Sequence, residues 1–376
     1  MARVLVSDRI AQEGIDILKQ VAEVDVKTGM PKEELISIIK DYDALAVRSE
    51  TKVTADVLAA GQNLKIIGRA GVGVDNIDVP EATRRGIMVV NSPGGNTIAA
   101  AELTMALLLA MARNIPAATA SLKGGEWKRS KFVGVEVYQK TLGVVGFGKI
   151  GREVAKRALS FGMDVVANDP FLSEDAAARA GVKLVALDDL IKGSDFITLH
   201  LPKNPQTANM IGEAQIAMMK DGVRIINCAR GGIVDEAALA KAVDSGKVAG
   251  AAIDVYSSEP PQPDNPLIGI PQIVTTPHLG ASTAEAQINV AVDVAEQIVD
   301  VLSGRPARSA VNMPAMSTDE MALVAPYMRL AEAMGTLAVS ITEGGGEAVE
   351  CFYFGDIARA DTNPITRAAL VGFLNP

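Results

Sequence analysis

Short runs of β-branched and aliphatic residues alternate along this chain with stretches whose apolar positions fall three and four apart. The first pattern predicts strands buried on both faces, and the second predicts helices that cover them. In the N-terminal part the strand-like runs are RVLVSD, VDVKT, ALAVRS, LKIIGRAG and IMVVNSP, separated by helical segments such as PKEELISIIK and DVPEATRRG. A long apolar helix opens near Thr97, and a second series follows it: TLGVVGFG, DVVAND, DFITLHLP, VRIINCARG, GAAIDVYS and QIVTTPH. Repeated strand, helix, strand order predicts right-handed crossovers and a parallel sheet in each series. The expected fold class is α/β, with two Rossmann-like, doubly wound parallel-sheet domains.

A helix from about Ser282 to Leu302 closes the second series, with Gly304 as its cap and Pro306 as its stop. From Ser317 the pattern changes. A capping box joins Ser317 to Glu320, and Leu323, Tyr327, Leu330, Met334, Leu337 and Ile341 make one apolar stripe on a long helix. After the glycines at 344–346, AVECFYF reads as a single strand and NPITRAALVGFL as a final helix, so the tail is expected to be a partial α+β segment. A lone strand cannot satisfy its own backbone groups, so it must pair with another lobe, another subunit or residues this chain lacks.

Composition narrows the picture. A chain of 376 residues permits two or three domains, and 48% hydrophobic residues with only 4% aromatics call for cores of Val, Ile, Leu and Ala. A net charge of −9 without any Lys/Arg-rich run would repel a phosphate backbone, so nucleic acid is not expected as a partner. The apolar stretch TIAAAELTMALLLAMAR is interrupted by Glu102 and is short for a bilayer span; the opening residues carry Arg3, Asp8 and Arg9 and do not read as a signal peptide. No membrane and a cytoplasmic location are expected. The two cysteines, Cys228 and Cys351, lack metal-ligand spacing, so neither a metal nor a disulfide is expected.

Gly146-x-Gly148-x-x-Gly151 lies directly after a strand-like run and directly before a helix-forming one. The first glycine suits a tight turn, the second lets backbone approach a pyrophosphate, and the third lets helix pack on strand; the N–H groups of Lys149 and Ile150 open the helix toward the anion. Such glycines can be merely structural, but the next strand ends in Asp169, whose carboxylate can accept from both ribose hydroxyls and would repel the extra phosphate of NADP. The expected cofactor is NAD.

The chain has two histidines, and both follow strands of the second series. His200 has no acidic neighbour in sequence and suits a cofactor wall or packing. His278, in TTPHLG, is preceded by Glu259 in SSEPP, which can orient one imidazole nitrogen. Arg230, in NCARGG, can grip a carboxylate through two parallel hydrogen bonds. Taken singly, Arg230 reads as a surface ion pair and Glu259 as a solvated loop charge. Their convergence on a cofactor edge favours oxidation of a 2-hydroxy acid. Cys228 reads as a small buried residue rather than a nucleophile.

The glycine motif with Asp169, NCARGGIVDE, AAIDVYSSEPP and PHLGASTAEAQ together resemble the D-isomer-specific 2-hydroxyacid dehydrogenase family. VRSETKVT, RAGVGVDNID, GEWKRSKF and RPARSAVNMPA are similar to members of it that act on a small phosphorylated 2-hydroxy acid. The resemblance covers essentially the whole chain. It implies an active site in the cleft between the two domains, with Arg230, Glu259 and His278 catalytic and further cofactor contacts at Pro170, His200, Pro202, Cys228, Ala229, Asp254 and Gly280. It implies that Arg48, Arg69 and Arg129 meet the substrate phosphate, Arg129 from a neighbouring subunit, while Ser49, Gly71, Val72, Gly73 and Asn96 hold the carboxylate. Residues 1–97 and 283–312 would form a discontinuous substrate-binding domain, 98–282 the NAD-binding domain, and 313–376 part of an intervening or regulatory segment. A homodimer or homotetramer is implied. The alternatives are a reductase of glyoxylate, hydroxypyruvate or 2-oxoglutarate on the same scaffold, or an NAD-sensing corepressor.

Overall fold

The computed structural model describes residues 1–313, 318–342 and 348–374. Strands β1 (Ala2–Val6), β2 (Ala22–Val26), β3 (Ala44–Val47), β4 (Ile66–Arg69) and β5 (Met88–Asn91) form one sheet in the order β2-β1-β3-β4-β5. A second sheet holds β6 (Thr141–Val145), β7 (Asp164–Asn168), β8 (Lys183–Leu184), β9 (Phe196–Leu199), β10 (Val223–Asn227), β11 (Val248–Ile253) and β12 (Ile273–Thr275), in the order β12-β11-β10-β9-β6-β7-β8. Every pairing within the two sheets is parallel. Each strand-like run of the two series forms a strand; β8, two residues long, was too short to leave a pattern.

The central strands are apolar throughout because helices cover both faces. β3 and β9 are buried at every position, and each sheet separates two hydrophobic clusters. The helix Thr97–Ala112 buries Thr104, Met105, Leu107 and Leu108, as a core helix should. It breaks at Asn114, whose φ is +53°, and the helix Ile115–Lys123 leaves at 63°. No single helix among the described residues is long and apolar enough to cross a membrane.

The helix Ala284–Leu302 is capped by Thr283, which accepts from the Ala286 N–H at 3.1 Å. Its Val294 and Ile298 pack with Val4, Val6 and Ile66 of the first sheet. Gln297, fully buried on this helix, donates to the Asn91 carbonyl at 2.9 Å and accepts from the Ser309 N–H at 2.8 Å. The chain beyond the helix thereby returns to β5, where Val311 donates to the Val89 carbonyl.

The tail departs from expectation in two ways. The helix Thr318–Ile341 forms, yet Leu323, Tyr327, Leu330, Met334, Leu337 and Ile341 are all exposed. Its contact with the helix Asn363–Leu374 uses a different face, where Gly335 and Gly372 let the two backbones touch: a Cβ on either would overlap a carbonyl oxygen of the other helix. Val324, Met328 and Ala331 flank this crossing and pack with Ile365 and Ile357. Small residues permit an approach that the bulky stripe cannot make. The run at 348–354 forms no strand, contrary to the α+β expectation. A strand requires a paired edge; here Tyr353 instead packs in the helical cluster and bonds the Thr366 hydroxyl at 2.7 Å. The capping box at Ser317 and the glycines at 344–346 lie outside the described residues.

Gln297→Leu keeps the side-chain volume but takes their partner from the part-buried Asn91 carbonyl and Ser309 N–H. Stability in urea denaturation is expected to fall by about 2–4 kcal/mol, and a loss below ~0.5 kcal/mol would show that this tie contributes nothing.

Candidate active site

Strand order reverses between β1 and β3 in the first sheet and between β6 and β9 in the second. At such switch points the connections leave in opposite directions and open a crevice beyond the carboxyl ends of the strands. Arg48 and Ser49 follow β3, Arg69 ends β4, and Gly71, Val72 and Gly73 follow it. Gly146 follows β6, His200 follows β9, and Cys228, Ala229 and Arg230 follow β10. The two sets meet where the Arg230 Nε donates to the Asp75 carboxylate at 3.1 Å, across the chain from one sheet's loops to the other's.

The glycine turn has the shape that a dinucleotide requires. Gly146 has φ of +91°, and a Cβ there would lie 2.5 Å from the His200 carbonyl oxygen. A Cβ on Gly151 would overlap the Gly146 carbonyl oxygen, whereas one on Gly148 would meet no heavy atom within 4 Å. The outer glycines are thus demanded by the protein, and the middle one opens toward a ligand. Gly148 caps the helix Lys149–Ser160 without a side chain, so the first-turn N–H groups, those of Lys149 and Ile150 among them, face an incoming anion. Asp169 accepts from the Phe147 N–H at 2.7 Å and the Phe171 N–H at 2.9 Å. Its carboxylate retains further lone pairs for ribose hydroxyls, and Pro170 follows it on the rim. These residues fit NAD.

Other predicted cofactor residues line the same edge. His200 bonds the Thr198 hydroxyl at 3.0 Å, and desolvation pushes its imidazole down to about 4, so it is neutral and no acid–base candidate. Pro202 accepts from the Thr207 hydroxyl. Burial first, and then the Asp254 charge, push the Cys228 thiol up to about 12, which excludes a thiolate nucleophile. Asp254, fully buried, accepts from the Thr276 hydroxyl at 2.6 Å and from the Leu279 and Gly280 N–H groups at 2.7 and 3.0 Å. It pins the turn on which His278 stands with φ of +55°.

His278 Nδ1 lies 2.6 Å from Glu259 Oε2, and the other Glu259 oxygen accepts from the Tyr256 N–H at 3.1 Å. Although desolvation works the other way, the His278 hydrogen bond, the Tyr256 N–H and the charges of His278 and Arg230 hold the Glu259 carboxyl below its ordinary value. With Nδ1–H donated to a carboxylate, Nε2 is left as the free basic nitrogen. Arg230 is braced as well: Nη1 donates to the Ala229 carbonyl at 2.7 Å, and its own carbonyl accepts from Asn227. The arrangement can bind a carboxylate and move one proton beside it.

Substrate-side residues form a cationic cluster. Arg69 is pushed down to about 10 by burial, then by the charges of Arg230 and Arg48; Asp75 and Asp8 act in the opposite direction. Gly71, with φ of +148°, and Gly73 lie against guanidinium groups: a Cβ on Gly71 would overlap Arg69, and one on Gly73 would overlap Arg230. The Val72 carbonyl accepts from Asn91 at 2.5 Å. Arg69 Nε, Ser92 Oγ and Asn96 Oδ1 are buried without a protein partner, as is common where a ligand supplies one. Arg129 is the exception. It is exposed on the short turn Arg129–Phe132 and is not among the main charges acting on Arg69. Sequence reasoning missed Asp75 and Asp8, although both lie in stretches already singled out, because neither carries a recognised motif.

Comparison with known proteins agrees with this geometry. Residues 105–280 match the model of the D-isomer specific 2-hydroxyacid dehydrogenase NAD-binding domain, and residues 323–376 that of the D-3-phosphoglycerate dehydrogenase intervening domain. A D-3-phosphoglycerate dehydrogenase from Synechocystis is 55% identical over 376 residues, covering 100% of this chain and 68% of the relative. One from Archaeoglobus fulgidus is 52% identical over 375 residues, covering 100% and 71%. Among solved structures, a glyoxylate reductase from Paecilomyes thermophila superposes with a TM-score of 0.76 at 31% identity, covering 82% of this chain and 98% of its own. The chain belongs to the D-isomer specific 2-hydroxyacid dehydrogenase family, NAD-dependent oxidoreductases, and within it groups with the D-3-phosphoglycerate dehydrogenases.

Proposed function

We propose that this chain oxidises D-3-phosphoglycerate to 3-phosphohydroxypyruvate, the first step of phosphorylated L-serine biosynthesis. The carrying observation is the grouping of Arg48, Arg69 and Arg230 around a glycine loop, beside the His278–Glu259 pair. Guanidinium groups that repel one another across a short distance favour a ligand with several negative charges, and a phosphorylated carboxylate carries them at both ends. Arg230, with Gly71, Val72, Gly73, Ser49 and Asn96, orients the carboxylate. Arg48 and Arg69 take the phosphate.

Bound NAD supplies the hydride acceptor. His278 Nε2 takes the hydroxyl proton of the substrate as its C2–H bond breaks, and Glu259 holds Nδ1 and stabilises the imidazolium that results. Residues 1–97 with 283–312 serve as the substrate-binding unit and 98–282 as the NAD-binding unit, and hinge closure between them excludes water. A dimer at least is supported by the exposed Ile115, Leu122, Trp127, Val133 and Tyr138, which flank Arg129 in sequence. Docking of that face would carry Arg129 of one subunit toward the site of the other.

NADH consumption with 3-phosphohydroxypyruvate, run beside hydroxypyruvate, glyoxylate and 2-oxoglutarate, is expected to show a strong preference for the phosphorylated substrate. Equal rates would move the assignment to a general 2-oxoacid reductase. Arg48→Ala should raise KM for 3-phosphohydroxypyruvate by about 10–100-fold with a much smaller effect on hydroxypyruvate. His278→Asn should abolish turnover with NADH binding retained; undiminished turnover would refute the assigned base, whereas a parent chain that binds NADH tightly without turnover would point to a corepressor-like binding role.

Two further outcomes separate the parts of the site. Gly148→Ala should melt like the parent while weakening NADH by about tenfold or more, whereas Gly151→Ala should lose stability first; the reverse pattern would refute the assignment of the turn. Because Arg69 loses its proton as pH rises through about 10, KM for the phosphorylated substrate should climb there without a matching loss of NADH affinity. A flat KM across that range, measured within the folded pH window, would show that Arg69 keeps its proton there, and an unchanged KM in Arg69→Gln would remove it from the phosphate site.

A further inference from the structure

Asp8 stands two residues beyond β1, at the switch point beside Arg48, and only 1% of it is exposed. Its carboxylate touches no arginine side chain through a hydrogen bond. It accepts instead from the Arg48 N–H at 2.6 Å, the Thr51 N–H at 3.1 and 3.2 Å and the Thr51 hydroxyl at 2.5 Å. The Thr51 oxygen also pairs with the Ser7 hydroxyl at 2.9 Å. From the other side Asn76 donates to the carbonyls of Arg48 and Thr51 at 2.9 and 2.7 Å, so both the N–H and the C=O groups of the turn are held. Asn76 itself adjoins Asp75, the partner of Arg230. One short path of hydrogen bonds therefore runs from Asp8 through the 48–51 turn to the loop that braces the arginine on the other sheet.

We propose that Asp8 is a positioning residue for substrate binding: it fixes the 48–51 turn so that Arg48 and Ser49 face the substrate at a set distance from Arg230. The proposal rests on the phosphate reading of Arg48 given above. Three observations support it. A carboxylate is expensive to bury and persists only where its partners require a charge-assisted acceptor. All its partners are donors, so an amide in its place would turn an NH2 group against an N–H. And its negative charge offsets the repulsion within the arginine cluster without occupying the guanidinium forks that the substrate needs.

Asp8→Asn preserves shape and removes the charge. Its KM for 3-phosphohydroxypyruvate is expected to rise by about tenfold, with kcat and the NADH dissociation constant within about twofold of the parent. In an Arg48→Ala background the same change should raise KM by clearly less, about threefold or under, because the guanidinium it positions is gone and only Ser49 is left to misplace. An unchanged KM in Asp8→Asn, or an equal rise in both backgrounds, overturns the proposal. If Asp8→Asn does not fold, Thr51→Val, which deletes one donor of the clamp, should raise KM by about threefold with NADH binding intact, and no rise overturns it equally. The underlying reading fails separately, when Arg48→Ala alone affects phosphorylated and unphosphorylated substrates alike. Asp8 is then decided by whether its substitution moves KM for whichever substrate Arg48→Ala moves.

Discussion

A parallel sheet delivers the carboxyl end of every strand to one edge, and both sheets of this protein are parallel throughout. All the loops that can hold a ligand therefore emerge on one side of each sheet, and the switch in strand order leaves a gap among them. What remains for the sequence to specify is which residues stand at those ends. On β4 it is an arginine, after β6 a glycine, after β10 an arginine again. Chemistry here is a property of strand termini, and the helices and cores beneath serve to keep those termini still.

Electrostatics makes the first sheet's loops costly to maintain. Burial first, and then the charges of Arg230 and Arg48, push the Arg69 guanidinium down to about 10, and Asp75 and Asp8 are carboxylates that act against that shift. Asp75 is largely exposed and pairs with Arg230 itself, while Asp8 is buried and committed to the backbone N–H groups of Arg48 and Thr51 and to the Thr51 hydroxyl. The loops around Arg69 thus carry a local surplus of positive charge, of a kind that a polyanionic ligand relieves, in a protein whose net charge is −9. Such an arrangement trades stability for affinity, since the repulsion is greatest when nothing is bound.

Much of this could be read from residue patterns. Buried parallel strands announce themselves as unbroken apolar runs, which is why all but the two-residue β8 were visible. The glycine turn, Asp169 and the Arg230, Glu259, His278 set were legible because chemistry restricts their residue types. The tail misled for a physical reason. A stripe of Leu, Tyr, Met and Ile at helical spacing reads as a packing face, but Gly335 and Gly372 bring two helices together more closely on another side. Periodicity records hydrophobicity and overlooks glycine. Asp8 was invisible for another reason: its partners are the Arg48 and Thr51 N–H groups and the Thr51 hydroxyl, forty or more residues away, which no local pattern encodes.

The bond between Phe147 N–H and Asp169 bears on attempts to re-engineer coenzyme preference. The usual route to an NADP-dependent variant is to replace the ribose-binding acid by a neutral or basic residue. In this chain the same carboxylate also fastens the glycine turn, so the exchange would release a backbone donor at the very place where the pyrophosphate is to be gripped. In the role proposed for Asp169, discrimination between the two coenzymes and the rigidity of the turn fall to one side chain. A redesign would have to supply a second acceptor for Phe147 before it could free Asp169 from its post.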